Sequence, residues 1–64
     1  MKWISVDKEL PNEDDIVLCW EFHGEISLGL YCGVWMDYSS GWILDKSHVT
    51  HWAHIQGPHQ NSKP

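Results

Sequence analysis

The chain has 64 residues, and its nine acidic side chains against four lysines give a formal net charge of −5. This length predicts one small domain that buries only about 60% of the surface of its unfolded chain, so self-association is an expected source of extra stability. The chain contains no arginine and no basic stripe, which argues against direct DNA binding, and no apolar run approaches the roughly 20 residues needed to cross a membrane.

Near the N-terminus, the sequence predicts one short strand followed by a polar loop. Residues 3–6 are mostly apolar and β-branched, as in a strand. The acidic segment 7–15 contains Pro11, so it predicts a loop with about one helical turn near residues 9–14. The acidic loop is either a solvated surface that keeps the protein soluble or a surface that docks on a basic partner.

The clearest alternation of apolar and other residues occurs in residues 16–22 and 26–36. It predicts two long antiparallel strands joined by a hairpin at Gly24. One face of this pair is expected to supply the core of the domain, with Leu18, Trp20, Leu28 and Leu30 pointing inward.

The other face of the second long strand has two glycines beside two aromatic rings. Gly29 and Gly33 alternate with Tyr31 and Trp35. Glycine within a strand permits twist, a bulge or the close packing of another element. The alternative is that the space beside the rings forms a shallow aromatic floor for a flat ligand.

In the second half of the chain, turn-forming clusters precede two further strands, predicted at residues 42–44 and 48–55. Turns at such intervals are typical of antiparallel all-β domains. The sequence therefore predicts an all-β fold, or a β-rich α+β fold, with a meander of about four or five strands. It also predicts a single domain over residues 1–56 and a polar, disordered tail over residues 57–64.

The five tryptophans are the most unusual part of the composition. A tryptophan buries a large area and its indole N–H needs a partner, so this residue is favoured in small cores and in binding interfaces. The residues expected to contact a ligand are Tyr31, Trp35, Trp42, Lys46, Thr50, His51 and Trp52. For Thr50, His51 and Trp52 the alternative is structural, with a core tryptophan whose neighbours bond to adjacent strands.

Cysteine and histidine spacing argues against an enzyme and against a metal site. Cys19 lies among apolar and aromatic neighbours, which favours an inert thiol, and both Cys19 and Cys32 are expected to be buried and reduced. No leader segment is recognised before the first strand, which favours a reducing compartment. His48, His51 and His54 would share a face on a helix, but on the strand predicted here His51 points away from the other two. The sequence predicts no catalytic residue, no metal ligand and no cofactor.

Four short motifs at the start and end of the chain resemble a family of phage and prophage proteins. They are Trp3-Ile4-Ser5-Val6, Leu10-Pro11, Val17-Leu18 and Val49-Thr50-His51-Trp52. The family is catalogued as domain of unknown function 551, whose members typically open with W-I-S-V and L-P and close with V-T-H-W followed by M-P-L-P. The present chain continues instead with residues 53–56, Ala-His-Ile-Gln. The resemblance implies a phage or prophage origin and action in a bacterial cytoplasm, and it implies no enzymatic mechanism.

Two functions are compatible with these observations. The first is a non-enzymatic phage accessory protein, a homo-oligomer that counters host defence by sequestering a small nucleotide-type signal. Stacking on an aromatic ring contributes about 1–3 kcal/mol per base and needs no basic surface. The second is an interaction module that binds a host protein and inhibits or redirects it.

Overall fold

The computed structural model describes residues 2–55, which form one open antiparallel sheet. Its six strands are β1 (Ile4–Ser5), β2 (Ile16–Glu21), β3 (Ile26–Tyr31), β4 (Trp35–Asp37), β5 (Ile43–Leu44) and β6 (Val49–Ala53). The predicted all-β class is confirmed. The predicted helical turn near residues 9–14 is wrong, because that segment is a loop. Among residues 2–55, the structure contains no helix with the length and apolar character needed to cross a membrane. The predicted tail, residues 57–64, lies outside the described part.

The strand order differs from that of a simple meander. Strands β2 to β5 follow one another across the sheet, but β6 returns to the other side of β2 and lies between β2 and β1. Cys19 of β2 therefore lies opposite Trp52 of β6, and Trp52 lies opposite Ile4 of β1. The structure has six strands instead of the predicted four or five, because the predicted long strand over residues 26–36 is wrong: it is two antiparallel strands, β3 and β4, joined by a hairpin at residues 32–34.

The core lies on the face of the sheet opposite to the predicted one, here called the inner face. It contains Val17, Cys19, Trp35, Val49 and Trp52, with Ile4, Val6, Tyr31 and Leu44 packed against it. The prediction that Leu18, Trp20, Leu28 and Leu30 point into this core is wrong. Trp20 is 37% exposed and Leu28 is 40% exposed. Both faces of β2 are apolar, so alternation alone cannot decide which one is covered; Val6, beyond β1, packs on the inner face.

A close contact between β2, β3 and β4 explains one of the glycines. A Cβ atom at Gly29 would lie 2.8 Å from the Sγ atom of Cys19 and 2.9 Å from the backbone oxygen of Met36. Only glycine fits at this distance, so Gly29 permits the close packing of neighbouring strands. At this position the structural alternative is the correct one, and the space beside Gly29 is not open to a ligand.

Candidate ligand pocket

A concave pocket opens at one end of the inner face, between the N-terminal loop and strands β3 to β5. Its volume is about 480 Å³, and its lining includes Val6, Leu10, Tyr31, Trp35, Leu44 and Lys46. Three of the seven side chains predicted to contact a ligand, Tyr31, Trp35 and Lys46, therefore come together in one place. Pockets for small molecules usually fall in the range of about 300–1,000 Å³.

The hairpin between β3 and β4 positions the two aromatic rings. Tyr31 and Trp35 face each other across it, and the Cys32 N–H donates to the Val34 carbonyl 3.0 Å away to close the turn. The rings meet edge to face, with centroids 5.3 Å apart and planes at 62°. Trp35 is buried, so it forms the floor of the pocket. Tyr31 is half-buried and keeps surface that a ligand can reach.

The other side of the pocket comes from the N-terminal loop and from the segment after β5. The Asp14 N–H donates to the Tyr31 carbonyl at 3.0 Å, which attaches the loop to β3. Leu44 lies opposite Trp35 in the sheet, and Lys46 follows in the turn before β6. The pocket therefore has a mostly apolar lining and one cationic side chain, that of Lys46. This combination suits a flat ring that carries a single anionic group.

The other four predicted ligand residues lie outside this pocket. Trp42 is 74% exposed, between β4 and β5. The Trp52 ring is buried in the core, and its indole N–H donates to the Glu9 carbonyl at 2.8 Å. The Thr50 hydroxyl donates to the Trp20 carbonyl at 3.3 Å, and the Nδ1 atom of His51 lies 3.0 Å from that hydroxyl. These contacts correspond to the structural alternative for the triplet.

Asp37 and Asp45 order the turns on either side of β5. Hydrogen bonds from the side chain and backbone of Ser40, and from the side chain of Ser39, hold the pKa of the Asp37 carboxyl below its usual value. The side chain and backbone of Ser47 act in the same way on the pKa of Asp45. Because Lys46 lies between Asp45 and Ser47, this turn fixes the backbone that presents its ammonium group.

The Cys19 thiol is unsuited to nucleophilic chemistry. Burial, reinforced by the negative charges of Glu21 and Asp37, raises its pKa to about 12. A thiol must lose its proton to act as a nucleophile, so at neutral pH Cys19 stays protonated. Both cysteines are free thiols, but the prediction that both are buried is wrong for Cys32, which lies in the hairpin between β3 and β4 and is only half-buried.

The face of the sheet opposite the core, here called the outer face, is apolar across β2 to β5 and carries Ser5 and His51 on β1 and β6. The pairing registers place these side chains on it: Ile16, Leu18, Trp20, Ile26, Leu28, Leu30, Met36 and Ile43. Beside them Trp3 packs edge to face on Trp20, with centroids 5.5 Å apart. Trp3, Trp20 and His51 line a shallow depression of about 270 Å³. Sequence reasoning missed this surface because it assigned these residues to the core.

A cluster of one carboxylate and two imidazoles lies at the opposite end of β2 from the pocket. The Oε1 atom of Glu21 is 3.3 Å from the Nε2 atom of His23 and 3.3 Å from the Nε2 atom of His48. The three histidines spaced by three residues, His48, His51 and His54, do not come together, as expected for a strand. His51 borders the outer depression and His54 packs edge to face on Trp52 at 5.0 Å.

Comparisons with family models, with curated proteins and with solved structures found no match to this chain. The resemblance to domain of unknown function 551 therefore stays a prediction from the four motifs.

Proposed function

We propose that this protein is a non-enzymatic phage accessory protein that binds and sequesters a small nucleotide-type signal of host defence in the bacterial cytoplasm. The observation that carries the proposal is the convergence of Tyr31, Trp35 and Lys46 on one pocket of about 480 Å³. The phage role is supported by the resemblance of the terminal motifs.

Each pocket residue has a separate part in the proposed binding. The accessible part of the Tyr31 ring contacts the face of the base, while Trp35 packs edge to face on the Tyr31 ring and holds it in place. The Lys46 ammonium meets a phosphate oxygen of the ligand, as a compact cation with rotatable donors can. The apolar lining from Val6, Leu10 and Leu44 excludes water from the base.

The acidity of the chain limits the ligand to one with little charge. The net charge is −5, and Lys46 is the cationic side chain among the described residues that line the pocket. A ligand with several phosphates would meet an unfavourable potential. The proposal therefore favours cyclic mononucleotides, which carry one phosphate, over ADP-ribose-type nucleotides, which carry two, and both over triphosphates.

Isothermal titration calorimetry of purified protein with a panel of cyclic and ADP-ribose-type nucleotides tests the proposal. At least one is expected to bind, and Tyr31→Ala should weaken it by about 1–3 kcal/mol, which is the contribution of one stacking ring. Lys46→Ala should also weaken binding, whereas the control Trp42→Ala should not. No heat from any nucleotide at high protein concentration, or equal losses in all three variants, would contradict the proposal.

The outer face supports a second proposal, which concerns partners. The strand residues on this face include no aspartate, glutamate or lysine within the described part of the chain. It spans on the order of 400 Å² in projection, and exposed apolar patches of about 300–600 Å² are often functional. The edge strands have two residues each, and such short edges disfavour the edge pairing that could otherwise join two sheets.

We infer from this that two copies of the chain pack outer face against outer face. An uncharged apolar surface complements itself, and a twofold axis brings the same patch from both copies together. The negative charges of both copies then remain at the periphery of the dimer. The pocket lies on the inner face and stays open in this arrangement.

Light scattering coupled to size exclusion should give twice the mass of the 7.5 kDa chain or a multiple of it. Leu28→Gln should shift the protein towards the monomer, and Val34→Gln, at an exposed apolar residue beside the pocket, should not. A purely monomeric wild-type protein would contradict the dimer. It would leave the same face free for the other candidate function, the binding of a host protein.

A further inference from the structure

We infer that Glu21, His23 and His48 form a binding site for a divalent transition metal, with zinc as the best fit. This site is separate from the ligand pocket and goes beyond the proposed function. The donor atoms of the three side chains, one from each, all lie within 4.8 Å of one another. One carboxylate with two imidazoles is a ligand set that zinc accepts in sites with an open fourth position.

The distances match a zinc site better than they match direct hydrogen bonds. Charge-assisted N–H···O bonds are usually about 2.7–2.9 Å long, but both imidazole nitrogens lie 3.3 Å from the same carboxylate oxygen. Ligands about 2.0–2.1 Å from a tetrahedral zinc ion are about 3.3–3.4 Å from each other. The distances from the Glu21 oxygen to the two imidazole nitrogens therefore already match those between neighbouring ligands of a zinc ion.

The carboxylate is held in the orientation that such a site needs. Among the described residues, Glu21 is the one charged residue that is buried, and its side chain is only 10% exposed. The Ser27 hydroxyl donates to its Oε2 atom at 2.7 Å. This bond leaves Oε1 directed at His23 and His48. Outer-shell hydrogen bonds of this kind orient metal ligands and raise affinity.

The backbone around the cluster is also fixed before any ion binds. The Gly24 N–H donates to the Glu21 carbonyl at 2.8 Å in a turn where Gly24 has a φ of 96°, a left-handed value that favours glycine. The Phe22 N–H donates to the His48 carbonyl at 2.9 Å, which joins the turn to the residue before β6. A register shift in the pairing of β2 with β6 falls between Trp20 and Glu21, and such bulges often redirect a side chain at a functional site.

The two histidines complete the site, His23 from the turn after β2 and His48 from the residue before β6. The His48 side chain is 25% exposed and the His23 side chain is 43% exposed. Their rings meet edge to face with centroids 5.5 Å apart. The donor atoms of His23 and His48 lie within 4.8 Å of each other. Because His23 is the more exposed, its ring is the one that can adjust to bring them to the tetrahedral separation. The fourth position then faces solvent and would be filled by water.

Zinc titration of the tag-free full-length protein, with a chromogenic chelator as competitor, tests the site. One ion per chain is expected, and zinc should raise the Tm because it binds the folded state. His23→Ala should weaken zinc by more than the roughly 10–100-fold that the loss of an outer-shell partner causes, and Ser27→Ala by about that factor. Because His23 is exposed, the first variant should still fold, which circular dichroism checks.

The matched control is His51→Ala, which removes a half-buried histidine outside the cluster and should bind zinc like the wild type. Cobalt provides a second readout. Bound Co²⁺ should show the visible absorption of a tetrahedrally coordinated ion in the wild type and in His51→Ala, and this absorption should be lost in His23→Ala. A wild-type protein that does not bind zinc, or a His23→Ala variant that binds it equally well, would overturn the inference.

Discussion

Replacing Trp52 by alanine is expected to unfold most of the protein at room temperature. The side chain is 1% exposed, and its indole N–H donates to the Glu9 carbonyl, which holds the N-terminal loop against the sheet. Truncation of a buried tryptophan costs about 3–5 kcal/mol. A single core in a chain of this size rarely supplies more than about that amount. Urea denaturation followed by circular dichroism would measure the loss.

Trp42→Ala is the matched control for this experiment, because it removes the same side chain from an exposed position. Its effect on the free energy of unfolding should stay within about 0.5 kcal/mol. Trp52→Phe separates packing from hydrogen bonding, since it keeps an aromatic ring but leaves the Glu9 carbonyl without its donor; an intermediate loss is expected. A stable, cooperative Trp52→Ala protein would show that this ring is not the centre of the core.

The strands could be predicted from the sequence, but the covered face could not. Alternation located β2 correctly and assigned Leu18 and Trp20 to a common face, but it merged β3 and β4 into one strand over residues 26–36. The choice between the faces depends on contacts over long distances in the chain, such as that of Trp52 with Glu9, 43 residues apart. Local periodicity carries no such information. The sequence analysis noted that Gly29 can permit the close packing of another element, but it did not use this signal to identify the covered face.

The pocket was partly predictable and the histidine cluster was not. Tyr31 and Trp35 were expected on one face of a single strand, but the hairpin at residues 32–34 that brings their rings together was not predicted. His48 meets Glu21 only because β6 lies beside β2 instead of beside β5. The signal that could have suggested this cluster is Glu21 itself, since a glutamate at an alternating position of an apolar strand requires a partner when it is buried.

The contact at Gly29 leads to the second large effect expected on stability. In Gly29→Ala, the new methyl group would lie under 3.0 Å from the Cys19 sulfur and from the Met36 backbone oxygen. The sulfur belongs to a fully buried side chain and the oxygen to a paired strand, so neither can move away easily. Overpacking of this kind costs about 1–3 kcal/mol, a large share of the stability of so small a domain.

A double-mutant cycle with Cys19→Ala tests whether the two side chains compete for the same space. Removing the sulfur alone should destabilise the protein by leaving a small cavity. It should also make Gly29→Ala less harmful, with a coupling free energy of about 0.5–3 kcal/mol. The rescue should be partial, because the Met36 oxygen remains in place. Urea midpoints of the four proteins measure the coupling. Strictly additive losses would mean that the new methyl group does not compete with the Cys19 sulfur for space, and would contradict the predicted coupling.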